Sequence, residues 1–326
     1  MAGDAGAPLL VTGAAGFIGA RFVASCRERG IALLAVDSPA HFRERKEHRG
    51  IDFGRVIDRD ELLDRLERER PALRGIVHLG ACTDTTELDE GYLERVNVEY
   101  SKALWRFASR EGVAFVYASS AATYGDGSLG YDDDESAIAA LRPLNPYGVS
   151  KQRFDLFVLE EESKGVAPPA WAGFKFFNVY GFGERHKRRM ASVVLQAFDQ
   201  IRERRSVRLF RSHREGIADG HQTRDFIHVA DVVDVLHFAL ERPLARGIYN
   251  LGTGRGRTFL DLALATFVAL GVPPRIEFID TPEDLRGRYQ YFTEARMAKL
   301  RTAGWTRPFT SLEDGVRECV ERLLRE

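Results

Sequence analysis

Two periodicities alternate along the first half of the chain. Short, nearly continuous apolar runs at 8–12, 31–37, 75–79 and 114–120 read as strands buried on both faces. Between them lie segments with apolar residues at helical spacing. The first runs to about Arg29, a charged surface helix covers 61–70, and a long helix covers roughly 90–111. One more strand is expected over 171–179, completing the sheet. This alternation predicts an α/β fold, a Rossmann-like doubly wound parallel sheet.

Beyond Tyr180 the elements become shorter and the segments more basic, as suits a smaller C-terminal α/β substrate lobe. Residues 1–178 are therefore read as mainly a dinucleotide-binding domain, with a return segment near 225–255, and residues 179–326 as mainly a substrate-binding lobe. No repeat, low-complexity tract or clear linker separates them, so the two are expected to share an extensive interface.

Composition narrows the function classes. With 326 residues the chain can bury a large core, and 44% hydrophobic with 29% charged residues is ordinary for a soluble protein. A net charge of -1 argues against nucleic-acid or membrane-surface binding driven by bulk charge, so local basic clusters are read as sites. Cys26, Cys82 and Cys319 are too few and too far apart for a disulfide framework or a metal site, which fits a reducing cytoplasm. His186, His213, His221 and His228 lack the helical pairing that ligation needs, and no metal is expected. No apolar run approaches the roughly 20 residues that span a bilayer, and residues 1–7 read as a loose leader. A cytoplasmic location is the expectation.

The candidate chemistry sits where strands end. Gly13, Gly16 and Gly19 follow the first strand and open a helix, a context in which backbone amides can approach a pyrophosphate. Asp37 ends the next strand about 20 residues on, where an acid can accept from an adenosine ribose. Arg43, Arg45, Lys46 and Arg49 follow and could neutralise a ribose 2'-phosphate, or form a solvated loop, so NAD and NADP both remain open. The loop 80–86 is small and rich in hydroxyls, placed to line a cofactor cleft, with Cys82 read as a packing residue rather than a nucleophile. Ser120 can hydrogen-bond a substrate hydroxyl or cap a turn. Tyr147 and Lys151 lie four apart at a predicted helix start, hence on one face. An ammonium near the phenol would favour the phenolate and make it a proton acceptor nearer neutrality.

Taken together, the glycine turn, Asp37, Asn97, the Ser119–Ser120 strand end, Tyr147 with Lys151, Asn178, Arg224–Asp225–Phe226 and Asn250–Gly254 resemble the extended short-chain dehydrogenase/reductases of the nucleotide-sugar epimerase and dehydratase class. Narrower segments resemble the heptose 6-epimerase family within that class: 80–87, 117–125, 177–181, His186–Lys187 followed by 190–193, and 287–293. The resemblance implies an enzyme that inverts C6 of an ADP-linked glycero-manno-heptose through an aldehyde, using NADP, in lipopolysaccharide core precursor synthesis. Catalytic roles would fall to Tyr147 and Lys187 as the two acid/base groups, to Ser120 for orientation, and to Lys151 for lowering the tyrosine pKa and holding the nicotinamide ribose. Lys187 also stands in the basic run 184–189, which read alone could simply be solvated.

By the same resemblance, the cofactor would be held by Gly13, Gly16, Phe17, Ile18, Gly19, Asp37, Ser38, Arg59, Leu79, Gly80, Ala81, Cys82, Thr83, Asn97, Lys151, Val179 and Lys187. Substrate would meet Asn178, Arg189, Gln196, Phe210, Arg211, Ser212, His213, Arg224 and Tyr289. Departures from the family pattern lie at Arg188, Arg189, Gln196 and the long loop 212–223, where recognition can have drifted. The alternative reading is another NAD(P)-dependent nucleotide-sugar enzyme, a 4-epimerase, 4-reductase or dehydratase. Ala121–Ala122 beside Ser120 counts against a dehydratase, which needs an acid there. A sensor that has lost its chemistry is the remaining class, and retention of Tyr147, Lys151, Ser120 and Lys187 argues against it. A homo-oligomer, a pentamer, is implied by the same resemblance, with the apolar face of 193–201 available either to an interface or to the core.

Overall fold

Apolar runs become strands here because both faces of the sheet are covered. The computed structural model describes residues 6–242, 244–283 and 290–326. Its main sheet uses β1 (Leu9–Thr12), β2 (Leu33–Asp37), β3 (Arg55–Asp58), β4 (Gly75–His78), β5 (Phe115–Ser120) and β6 (Trp171–Phe176). After β7 (Asn178–Tyr180), β8 (Val207–Phe210) and β9 (Thr223–His228), the chain returns to that sheet as β10 (Gly247–Leu251). The order is β10-β6-β5-β4-β1-β2-β3, and every pairing is parallel. The strand order reverses between β1 and β4, which opens the crevice where ligands bind in such sheets.

The helices in chain order are α1 (Phe17–Glu28), α2 (Pro39–Glu44), α3 (Leu62–Glu69), α4 (Glu90–Leu93), α5 (Tyr100–Glu111), α6 (Pro146–Ser163), α7 (Val193–Arg204), α8 (Val229–Glu241), α9 (Phe259–Leu270), α10 (Ala298–Thr302) and α11 (Leu312–Leu323). Two small sheets accompany α7, α9 and α11: β9 between β7 and the short β11 (Gly256–Thr258), and β8 beside β12 (Ile276–Ile279). The apolar face of α7 is used inside the chain. Val194, Leu195 and Phe198 join Tyr180, Leu262 and Val316 in one cluster, while Ala197 and Ile201 join Val207 and Phe267 in another.

Three expectations are corrected. The strand over 171–179 breaks after Phe176, and Asn178–Tyr180 pairs with β9 in a different sheet. The main sheet is completed instead by β10, outside β6. The long helix over 90–111 contains a π-helical turn at Glu94–Glu99, whose extra residue per turn rotates the local face and brings Asn97 inward. The edge strand β3 has only one fully buried position, Ile57, and gave no apolar run to read.

Burial also sets an acid limit on stability. His78 lies beneath the crevice, with Nδ1 2.6 Å from Thr12 Oγ1 and Nε2 2.8 Å from Ser101 Oγ, a geometry that fits Nε2–H donating to the serine. Desolvation pulls its pKa from 6.5 to about 3, and burial brings His186 and His237 each to about 4. Below about pH 6.5 the unfolded chain takes up protons that the folded chain refuses, so stability falls with acidification across that window. The urea midpoint is expected to be lower at about pH 5 than at about pH 7. Equal midpoints would show that these imidazoles protonate without unfolding.

Candidate active site

The glycine turn, Asp37, Arg59, the loop 79–83 and Ser120 all lie at or just after the C-terminal ends of main-sheet strands. After β1 the chain turns at Gly13, which has φ +67, and a Cβ there would lie 2.6 Å from the Gly80 backbone nitrogen. The glycine turn and the loop after β4 therefore pack backbone against backbone, with Gly80 N donating to Thr12 Oγ1 at 3.2 Å. Helix α1 then begins without a side-chain cap at Gly16, so its first-turn amides point into the crevice without a covering hydroxyl or carboxylate. A dinucleotide fits this donor set: uncapped helix amides, a turn without side chains, and the Asp37 strand end alongside.

At that strand end the Asp37 carboxylate is held by the protein. It accepts from Ala15 N at 3.0 Å, Ser38 N at 2.8 Å and His41 Nδ1 at 2.7 Å. Arg45 donates to the Ala15 carbonyl, and His48 Nε2 reaches the same oxygen at 2.9 Å. Arg59 follows β3 and pairs with Asp60 at 3.5 Å. The basic segment after β2 is thus partly folded back onto the glycine turn rather than freely solvated.

Asn97 is a brace. Its Oδ1 accepts from Cys82 N at 2.8 Å, and Nδ2 donates to Cys82 O and to Ser150 Oγ, both at 3.0 Å. Nearly all of its hydrogen-bonding capacity is engaged within the protein, locking the loop 79–83 to α6 one residue before Lys151. Burial raises the Cys82 thiol, which favours a packing role over a nucleophilic one.

Helix α6 starts with Asn145 Oδ1 accepting from Gly148 N at 2.8 Å and with Pro146 in the first turn. A Cβ on Gly148 would meet Ala122 O at 2.8 Å, so glycine lets the helix approach the turn that follows β5. That approach sets the buried Tyr147 beside Ser120, whose hydroxyl accepts from Ala122 N at 3.1 Å.

The expected depression of the tyrosine does not occur among the protein's own groups. Burial pushes the Tyr147 phenol up, with the neighbouring Ser120 hydroxyl pulling the other way, while Lys151 donates to Ala118 O at 2.9 Å. Lys151 is itself brought down to about 8, because burial penalises its charge. One turn deeper on α6 lies Asp155, fully buried, which raises both groups. It accepts from Lys175 Nζ at 2.6 Å, Ser119 Oγ at 2.7 Å and Tyr117 OH at 3.0 Å, and Lys175 also donates to Thr123 Oγ1 at 2.8 Å. No spacing in the sequence announces this network, since Lys175 stands in an otherwise apolar strand.

Lys187 occupies a 3-10 turn, Arg185–Met190, with its Nζ 5.1 Å from the centre of the Phe17 ring and 3.0 Å from Glu184 Oε2. The second amine thus stands against the first residue of α1. His186 joins the turn to the segment after β2, its backbone N and Nδ1 both 2.7 Å from Glu47 Oε1. Glu47 and Glu184 were not singled out from sequence; each gains its meaning from contacts that the fold creates.

The expected substrate residues lie on the other elements. Asn178 is exposed on β7, beside the half-buried Val179. Arg189 is 72% exposed and contacts Asp84 and Thr86, and Gln196 Nε2 donates to Ala191 O at 2.8 Å, bracing the same turn. Phe210 ends β8, Arg211 pairs with Asp219 at 3.3 Å, Ser212 N donates to Asp219, and His213 N donates to Tyr291 OH. The buried Arg224 lies 5.4 Å from the Phe259 ring. Asp225 and Asp231 accept from backbone and hydroxyl groups at 253–254, 295 and 310. Tyr289 falls outside the described residues.

Residues 9–252 match the model of the NAD dependent epimerase/dehydratase family. The chain belongs to that family. Its curated relatives include an ADP-L-glycero-D-manno-heptose-6-epimerase of Fusobacterium nucleatum, 44% identical over 97% of this chain and 98% of the relative. Another, of Nitratidesulfovibrio vulgaris, carries the same name and is 46% identical over 97% of each chain. Among solved structures, the Helicobacter pylori ADP-L-glycero-D-manno-heptose-6-epimerase superposes with a TM-score of 0.80 at 25% identity, covering 99% of this chain and 97% of that one. Family membership agrees with the parallel sheet, the uncapped α1 and the Tyr147–Ser120 pair at the crevice.

Proposed function

We propose that the protein inverts C6 of an ADP-linked glycero-manno-heptose, supplying the epimer used in lipopolysaccharide core precursors. The observation that carries this reading is identity of 44–46% along 97% of the chain to relatives bearing that name. The site's geometry supports it. When bound, a nicotinamide dinucleotide supplies hydride acceptance and return at the sugar carbon. Ser120 orients the hydroxyl, and Tyr147 takes or gives its proton on one side. Lys187, held against Phe17 at the head of α1, serves the oxygen in its other position. Two proton carriers from different elements suit a reaction that must serve one carbon from both faces.

The cofactor is read as NADP. Asp37 is already engaged by Ala15, Ser38 and His41, which leaves it less available to a bare ribose diol. Arg45 stands beside it, and Arg59 follows the neighbouring strand; guanidinium groups there suit a 2'-phosphate.

The test is to incubate the purified protein with ADP-D-glycero-D-manno-heptose and follow the C6 configuration by NMR. Conversion toward the L-glycero epimer is expected. No inversion of that sugar, with turnover of a UDP- or ADP-hexose instead, would replace the reading with a 4-epimerase or reductase.

A further inference from the structure

We infer that Glu184 is a positioning residue for epimerisation, a buried carboxylate that fixes the Lys187 amine at the nucleotide turn; this rests on reading Lys187 as the second acid/base group. The Glu184 side chain has no exposure, and a carboxylate so enclosed persists only where donors and a cation satisfy it. Its Oε1 accepts from Gly181 N at 3.3 Å, and its Oε2 accepts from Ser192 N at 3.0 Å and Lys187 Nζ at 3.0 Å. Gly181 follows β7 and Ser192 precedes α7, so one side chain ties together both ends of the segment that carries the lysine. The Lys187 backbone N donates to Glu184 O at 2.9 Å, which starts the turn over the same residue.

Arg185 and Arg189 are committed elsewhere. Arg185 pairs with Asp199 at 3.2 Å and with Glu326, and Arg189 contacts Asp84 and Thr86 on the loop after β4. Lys187 instead lies between the buried acid and the Phe17 ring, only 24% exposed. Two backbone N–H groups need an acceptor at this point, and a neutral amide oxygen would serve them. The full negative charge is explained by the amine.

If Tyr147 and Lys187 serve opposite positions of the oxygen, loss of Glu184 should affect the two epimers unequally. The experiment mixes the cofactor-loaded enzyme with each pure C6 epimer in a stopped-flow instrument and follows reduced-nicotinamide absorbance. Glu184→Gln is expected to slow the transient with one epimer by about tenfold or more and to leave the other within about twofold. Glu184→Asp, which keeps the charge on a shorter arm, should show the same asymmetry to a smaller degree. It serves as the test should the Gln variant fold poorly. Equal slowing with both epimers, or no slowing, overturns the inference and leaves Glu184 a structural tie. Lys187→Met, run in parallel, separates the two levels: if it spares both epimers, the reading of Lys187 fails and this inference falls with it. If it slows one epimer while the Glu184 variants slow neither, only the role of Glu184 is lost.

Discussion

Replacing Lys175 by methionine should lower stability by about 3–5 kcal/mol, seen as a fall in the urea midpoint, because the substitution strands a buried carboxylate. Neither Lys175 nor Asp155 has any side-chain exposure. With the ammonium gone, Asp155 retains only the hydroxyls of Tyr117 and Ser119. A double variant, Asp155→Leu with Lys175→Met, is expected to recover part of the loss, since an apolar pair of similar volume often replaces a buried ion pair without penalty. A midpoint that barely moves in Lys175→Met would show that the ion pair contributes little to stability. The same variant should displace the activity profile toward higher pH. Asp155 already raises both Tyr147 and Lys151, and without its counterion it would raise them further.

The second large effect is expected at the phenol. Tyr147→Phe should reduce turnover by about 10²–10⁴-fold while leaving thermal stability and nucleotide affinity close to those of the parent. The ring remains and only the hydroxyl beside Ser120 is removed. NMR-monitored inversion of the heptose measures the first quantity, and equilibrium dialysis of the dinucleotide measures the second. Turnover above about a tenth of the parent's would remove the tyrosine from the chemistry and leave Lys187 and Ser120 as the proton carriers.

Much of the sheet was legible because each central strand is an apolar run bounded by glycine or a polar turn. The break after Phe176 was not, since Phe177, Val179 and Tyr180 stay apolar while the chain changes sheets. For β3 the reason is the reverse: an edge strand half open to solvent carries no apolar signature. In the site, Gly13–Gly19, Ser120 and the Tyr147/Lys151 pair depend on local spacing and could be read in order. Glu47, Asp155, Lys175 and Glu184 could not. Glu47 meets His186 across 139 positions, and Lys175 meets Asp155 across 20, in pairings that no helical or strand period encodes. The expected direction for the tyrosine failed for a related reason: proximity to an ammonium favours ionisation, and enclosure opposes it more strongly.

The grip of Glu47 on His186 carries a mechanical corollary. The segment after β2 and the turn that bears Lys187 are stapled by one carboxylate oxygen. On the proposed function, that staple would couple the seating of a dinucleotide's adenosine end to the placement of Lys187.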